Sequence, residues 1–360
     1  MAGVSTVMRR WPVLLFAALA AVLIAALAGT ASAGQGPSTT SAAPKPAEPL
    51  SAAAWRKLVA KAKQEGSVTI YSVQAPAGLL DVANAFKAKY GITVTVNRGV
   101  DSTLLAQINA EHGTGRAIAD IWVPSPKRYV LGAVNNGWVV DAVGPNFFKK
   151  AYVRKTYMVS KAWIVGEAVL GMAWNTKAYS GAISTQNDFT SSAFNGRLGV
   201  PDARVSPSFM DWYLWAEAKY GANFMEKLAA LRPKIYTSTL PMTQAVASGE
   251  IIGAPCAAGT AIDLKAAGAP IDYKVLPSDN WNAPYYGMIL KQATHPAAAQ
   301  LLANYLISPA GQALVDRGFG AVYPNIPGTY YAKPRIVKLN DFTPAKVAAF
   351  NARWAALFVR

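Results

Sequence analysis

Between Ser67 and Val123 the hydrophobic pattern changes period again and again, and this alternation restricts the fold more than any other feature of the chain. Val68-Thr69-Ile70 reads as a short strand, and Leu79, Val82, Ala83, Phe86 and Tyr90 then recur at the spacing of one helix face. Gly91 ends that helix. Ile92, Val94 and Val96 alternate as a strand, Ser102 offers an N-cap to a helix carrying Leu104, Leu105 and Ile108, and residues 117–123 form the next strand. This β-α-β-α-β order implies an α/β fold with a mainly parallel sheet covered by helices on both faces. Ligands of such sheets sit beyond the carboxyl ends of the strands, which directs attention to loops 72–77, 99–103 and 124–127.

The pattern extends in both directions. A helix over Ala52–Glu65 is stopped by Gly66, where a left-handed residue commonly closes a helix. A second α/β unit is expected between about 170 and 280, with strands at Gly199-Val200, Ile251-Ile252 and 273–276 and helices at 210–220 and 223–231. Met288-Ile289-Leu290 then reads as a returning strand, Pro296 opens a helix bearing Leu301, Leu302, Tyr305 and Leu306, and Ser308-Pro309 opens another.

Residues 1–33 place Arg9 and Arg10 before an apolar run and then Ala31-Ser32-Ala33, the order found in a secretory signal peptide cleaved after Ala33. The apolar run is close to the roughly 20 residues that span a bilayer, so a retained anchor is the alternative. Residues 34–51, rich in Gly, Pro, Ser, Thr and Ala, read as a flexible linker. The chain is therefore expected in the periplasm or on the exterior of the cell envelope, tethered if the leader stays. Of its 360 residues 52% are hydrophobic, ample for a sizeable core. Losing the leader removes two arginines and no acid, so the formal charge falls from +16 to +14, a surplus that favours anionic ligands through its long-range field. The basic residues are dispersed and the chain is exported, which excludes nucleic acid as a partner. Cys256 is the only cysteine, so no intrachain disulfide is available.

Several short segments, taken in order, carry a resemblance. Residues 65–72 (Glu-Gly-Ser-Val-Thr-Ile-Tyr-Ser), Ala119-Asp120-Ile121, Ala173-Trp174-Asn175-Thr176 and Ser248-Gly249-Glu250 form its first part. His295-Pro296-Ala297-Ala298-Ala299, Ser308-Pro309-Ala310-Gly311-Gln312 and Tyr323-Pro324 complete it. Together they resemble bacterial extracellular solute-binding proteins of ABC importers, in the group that binds ferric ion, thiamine and phosphonates. The resemblance implies two α/β lobes joined by two strand crossovers and closing on a ligand. The lobes would comprise 52–165 with 284–327, and 166–283 with 328–360. It also implies a monomeric, non-catalytic protein that needs no cofactor and delivers a small solute to a membrane permease. The alternatives are a ferric-ion carrier and an exported hydrolase or transferase on a related fold.

The ferric members of the group use a His in the first loop, a Glu after the third strand and a Tyr pair in the second lobe. Here those places hold residues 71–76 (Tyr-Ser-Val-Gln-Ala-Pro), Trp122-Val123-Pro124-Ser125-Pro126 and residues 255–260 (Pro-Cys-Ala-Ala-Gly-Thr), which offer few of the anionic oxygens a hard trivalent ion requires. No metal is expected. Ser206 and Ser208 stand where relatives hold an anion on a helix start, and Ser102 and Thr103 offer the same in the first lobe; in each case plain N-capping is the simpler reading. An anionic or zwitterionic solute is favoured. The candidate ligand-binding residues are Ser72, Gln74, Ser102, Thr103, Ser125, Trp174, Asn175, Ser206, Ser208, Tyr236, Ser238, Tyr285 and Tyr286. Arg98, Lys127 and Arg204 are cations that could pair with an anion. The two histidines, His112 and His295, read as exposed structural positions, and Cys256 as an inert buried thiol.

Overall fold

The computed structural model describes residues 47–181, 183–276, 281–331 and 342–359. The expected signal peptide, and the linker up to residue 46, lie outside the described residues. Among the described residues no helix is long and apolar enough to cross a membrane.

The first part alternates as the hydrophobic pattern implies: α1 (Ala52–Glu65), β1 (Ser67–Ser72), α2 (Pro76–Tyr90), β2 (Thr93–Arg98), α3 (Asp101–Thr114) and β3 (Ile121–Val123). Gly66 and Gly91 close α1 and α2 at φ 71° and 75°, a backbone region that suits glycine. Strand β1 pairs in parallel with β2 on one side and β3 on the other. Two details differ from expectation. Strand β3 is shorter than 117–123, because the Ile118 and Ala119 amides donate to the Glu111 carboxylate instead of to a neighbouring strand. Helix α3 starts at Asp101 with no side-chain cap, so Ser102 lies inside its first turn rather than capping it.

Elements α4 (Lys127–Asn135), β4 (Val139–Val140), α5 (Arg154–Tyr157) and β5 (Met158–Val159) lead into β6 (Ala162–Asn175). Then come β7 (Gly199–Pro201), α6 (Pro207–Tyr220), α7 (Phe224–Ala230), β8 (Lys234–Tyr236), α8 (Thr239–Ser248), β9 (Gly253–Ala257), α9 (Ala258–Ala266) and β10 (Ile271–Lys274). Strand β11 (Trp281–Leu290) returns, followed by α10 (Pro296–Leu306), α11 (Pro309–Val315), β12 (Gly320–Ala321), β13 (Tyr330–Tyr331) and α12 (Pro344–Phe358). The strand expected at Ile251-Ile252 begins instead at Gly253. The Ile251 amide is taken by the carbonyl of Ala245 as α8 closes, and that of Ile252 by Arg197.

The sheet is mixed rather than mainly parallel. Strand β11 brings the chain back, so it runs against both β3 and β6. Strand β6 starts beside β5, pairs with β11 along its middle, and ends between β9 and β10. It thus links two separate cores. The first holds Trp122, Phe147 and Trp163 with returning residues such as Met288 and Leu302. The second gathers Phe194, Trp212, Tyr213 and Phe224 with α12, and a satellite cluster includes Met242, Val246 and Cys256. Phe350, Trp354 and Phe358 recur every fourth residue, giving α12 one buried face, and each such side chain stabilises by about 1.5–3 kcal/mol. We refer to the parts built on these cores as the first and second lobes. Along the middle of β6, Glu167 lies fully buried close to Asp316, which follows α11 and is also fully buried; none of their four carboxyl oxygens has a hydrogen-bond partner.

Candidate functional site

A cavity of about 80 Å³ lies between the lobes. Its floor is the two crossing strands, through Leu170 of β6 and Trp281 and Tyr285 of β11. One wall is the loop from β2 into α3, with Arg98 and Asp101, joined by Ser125 after β3. The opposite wall is formed by the starts of α6 and α8, with Ser206, Ser208, Ser238 and Thr239. Helices start there because Ser206 and Ser238 are N-caps whose hydroxyls accept from the amides of Ser208 (3.2 Å) and Leu240 (3.3 Å).

Three side-chain hydrogen bonds cross the cleft. The Ser206 hydroxyl donates to Asp101 Oδ2 at 2.7 Å, Ser125 and Ser208 share a bond of 2.8 Å between their hydroxyls, and Arg98 Nη2 donates to Ser238 Oγ at 3.2 Å. Asp101 is further held by the Ser125 amide (3.0 Å, to Oδ1) and hydroxyl (2.6 Å, to Oδ2). Burial pushes the Asp101 carboxyl up from its ordinary range, with the bonds from Ser125 and Ser206 and the Arg98 charge acting the other way. Burial likewise lowers Arg98, opposed by Tyr285 and Asp101, and Arg98 Nε is buried without a partner. Trp281 is fixed by its indole N–H on Asp211 at 2.7 Å.

Of the residues singled out from sequence, Arg98, Ser125, Ser206, Ser208, Ser238 and Tyr285 line this cavity together. The others lie elsewhere. Ser72 and Gln74 are buried beside it, bonded to each other, with only Val73 of that loop reaching the lining. Ser102 and Thr103 are exposed on α3. Trp174 packs on the second core, and Asn175 ties the end of β6 to α8 through the Val246 carbonyl (2.8 Å). Tyr236 donates to Glu250 (2.9 Å), and Tyr286 belongs to the first core. Lys127 lines a smaller neighbouring pocket, while Arg204 is paired with Asp202 at 2.7 Å and lies over Trp354. Asp101, Phe209 and Phe319 were not picked out from sequence; the one available signal for Asp101 was an acid three residues after Arg98 in a loop already marked.

Outside the cavity, His295 stands between Ser67 and Asp120, with Nε2 2.9 Å from the Ser67 hydroxyl and Nδ1 2.9 Å from the Asp120 carboxylate. This is the connectivity of a Ser-His-Asp triad, but Asp120 also accepts from the amides of Thr69 (2.8 Å) and His295 (2.9 Å), which pins the start of α10 to the sheet. None of the described cavities reaches Ser67. His295 is therefore half-buried and structural rather than exposed, and His112 stacks on Trp138 with ring centroids 4.0 Å apart. Cys256 is fully buried, which raises its thiol far above the ordinary range. Among the described residues no three His, Cys, Asp or Glu side chains converge as metal ligands would.

Residues 67–320 match the family model of bacterial extracellular solute-binding proteins. The chain belongs to that family. No curated protein matches this solute-binding protein in sequence. Solved structures share its two-lobe fold at low identity. Iron-bound HitA from Pseudomonas aeruginosa is 18% identical, covering 80% of this chain and 99% of its own, with a TM-score of 0.63. AfuA from Actinobacillus pleuropneumoniae, with fructose-6-phosphate bound, is 19% identical over 81% and 98%, with a TM-score of 0.66. The substrate-binding protein of an ABC transporter from Agrobacterium tumefaciens is 16% identical over 81% and 94%, with a TM-score of 0.71. The family is one of extracellular solute-binding proteins; AfuA is a periplasmic binding protein, and the Agrobacterium neighbour is the substrate-binding protein of an ABC transporter.

Proposed function

We propose that this solute-binding protein captures a small anionic or zwitterionic solute in the cavity between its lobes and delivers it to an ABC permease as a monomer. In this reading residues 1–33 direct export, 34–51 are the linker, 52–165 with 284–327 form the first lobe, and 166–283 with 328–360 the second. The observation that carries the reading is the cavity itself, enclosed by cross-lobe hydrogen bonds and lined by Arg98 with a buried, unpartnered Nε. A half-buried guanidinium is suited to a carboxylate or phosphate, and AfuA holds a phosphorylated sugar on the same fold. Closure needs a ligand that bonds to both walls at once, since only differential affinity shifts the open–closed equilibrium.

A ferric ion is a weaker fit. The cavity presents one carboxylate, Asp101, where a hard trivalent ion requires several anionic oxygens. The test is a melting-temperature screen of the full chain against carboxylates, phosphates, sugar phosphates, amino acids, polyamines and ferric citrate. A ligand at 100 times its Kd adds about 2.7 kcal/mol, which raises melting by a few degrees. R98A should lose at least tenfold in affinity for the hit, corresponding to one charge-assisted hydrogen bond of about 1.5–3 kcal/mol. A hit whose affinity R98A leaves intact would show that the solute binds elsewhere, and a folded protein that answers to no solute would overturn the transport reading.

A further inference from the structure

The cavity has two ends of opposite hydrogen-bonding sense. A serine hydroxyl owns a single proton. Ser125 and Ser206 both commit theirs to Asp101 Oδ2, at 2.6 and 2.7 Å, so in the 2.8 Å contact between Ser208 and Ser125 the donor is Ser208. The hydroxyl protons of Ser206 and Ser208 at the start of α6 therefore both lead to Asp101, the first directly and the second through Ser125 after β3. What this end offers a ligand is oxygen lone pairs around a buried carboxylate. The helix start expected from sequence to seat an external anion holds the protein's own anion instead.

The other end is inverted. Ser238 Oγ accepts from Arg98 Nη2 (3.2 Å) and from the Leu240 amide (3.3 Å), which leaves its own proton uncommitted among the described residues. Beside it stand the unpartnered Arg98 Nε and the start of α8, where the helix dipole favours negative charge. Between the two ends the lining is apolar and aromatic, with Trp281, Phe209, Tyr285 and Phe319. A simple oxyanion would satisfy Arg98 while facing the Asp101 charge across the cavity. A solute that carries a protonated amine as well would satisfy both ends.

We infer that the cleft selects an amino-acid-like zwitterion, its ammonium group set against Asp101 and the Ser125, Ser206 and Ser208 oxygens, and its carboxylate against Arg98, Ser238 and Thr239. This inference rests on the cleft being the solute site, and it names the solute's class. Asp101 is then the residue that separates zwitterions from simple anions.

The test uses the full chain and calorimetric titration with each of the twenty protein amino acids and with inorganic phosphate. Every amino acid that binds is titrated again as its deaminated acid and as its decarboxylated amine. The expected result is micromolar or tighter binding of at least one amino acid, with both analogues weaker by 100-fold or more. D101N should bind that amino acid at least tenfold more weakly while closing the gap to the deaminated acid, and the analogue series on the unaltered protein needs no variant to fold. Equal binding of the deaminated acid, or binding of phosphate with no amino acid bound, would overturn the zwitterion and leave a solute-binding cleft that reads an anion alone. Silence toward all twenty amino acids would overturn it too, and the broader melting screen then decides whether the cleft binds any solute.

Discussion

Among the described residues Glu167 and Asp316 are two buried carboxyl groups without hydrogen-bond partners, and they predict an inverted dependence of stability on pH. Both are fully buried, none of their oxygens has a hydrogen-bond partner among the described residues, and Gly166 packs so closely on the Asp316 carboxylate that a Cβ there would run into it. The nearest amide, Gln312, has both hydrogens committed to the carbonyls of Val165 and Leu306. The groups facing the pair are tyrosines, Tyr157 and Tyr286 toward Glu167 and Tyr285 toward Asp316, none of them a cation. Burial raises Glu167 well above the carboxylate range, and burial with the Glu167 charge does the same for Asp316. A folded-state pKa above the unfolded value contributes stability that is complete below about pH 4 and is lost as pH rises toward the folded pKa. Each proton held only by the folded state costs about 1.4 kcal/mol for every pH unit over which it is held, and the effect is read between pH 5 and 8. Urea unfolding of the full chain across this range should show stability falling with pH, and E167Q should flatten the fall by removing one titrating group. Asp101, raised by burial, and His112, lowered by burial, are present in both proteins, so their contributions cancel in the difference between wild type and E167Q. A wild-type minus E167Q difference that stays constant from pH 5 to 8 would refute a proton held by buried Glu167.

Three further outcomes are expected. Trp354→Ala, which empties a fully buried site in the second core, should cost about 3–5 kcal/mol in chemical denaturation, and a loss below 1 kcal/mol would mean that α12 is not anchored there. Cys256 should resist a maleimide in the folded protein and react fully in denaturant; labelling under native conditions would contradict its burial. Ser67 should not be labelled by a fluorophosphonate despite its contact with His295, and S67A-sensitive labelling would show that the Ser67-His295-Asp120 arrangement is a working nucleophile rather than a tie between α10 and the sheet.

The legible part of the fold was the part with a period. Strands β1 and β2 and helices α1 and α2 could be read because one face of each is apolar and Gly66 and Gly91 mark the stops. Strand β6 could not be read in the same way. Its residues from Ala162 to Val169 are buried on both faces save Ala168, so the segment shows no alternation and looks like any apolar run. Only its last residues, 173–175, with Thr176 after them, were recognisable, and they were recognised by resemblance rather than by pattern.

The site was legible where a residue type carries one meaning and obscure where tertiary closure assigns it another. Ser206 and Ser238 are N-caps by local rule, and they remain N-caps in the structure. What the local rule omits is the second bond each makes, to a residue 105 positions away for Ser206 and 140 for Ser238. A cap hydroxyl accepts from the helix and still owns a proton. Whether that proton is aimed at a ligand depends on whether another lobe brings an acceptor to it. Asp101 does so for Ser206, and no described residue does so for Ser238. Two helix starts that look alike in sequence therefore acquire opposite polarity toward the cavity, and the charge preference of the cleft follows from that difference rather than from the net charge of the chain.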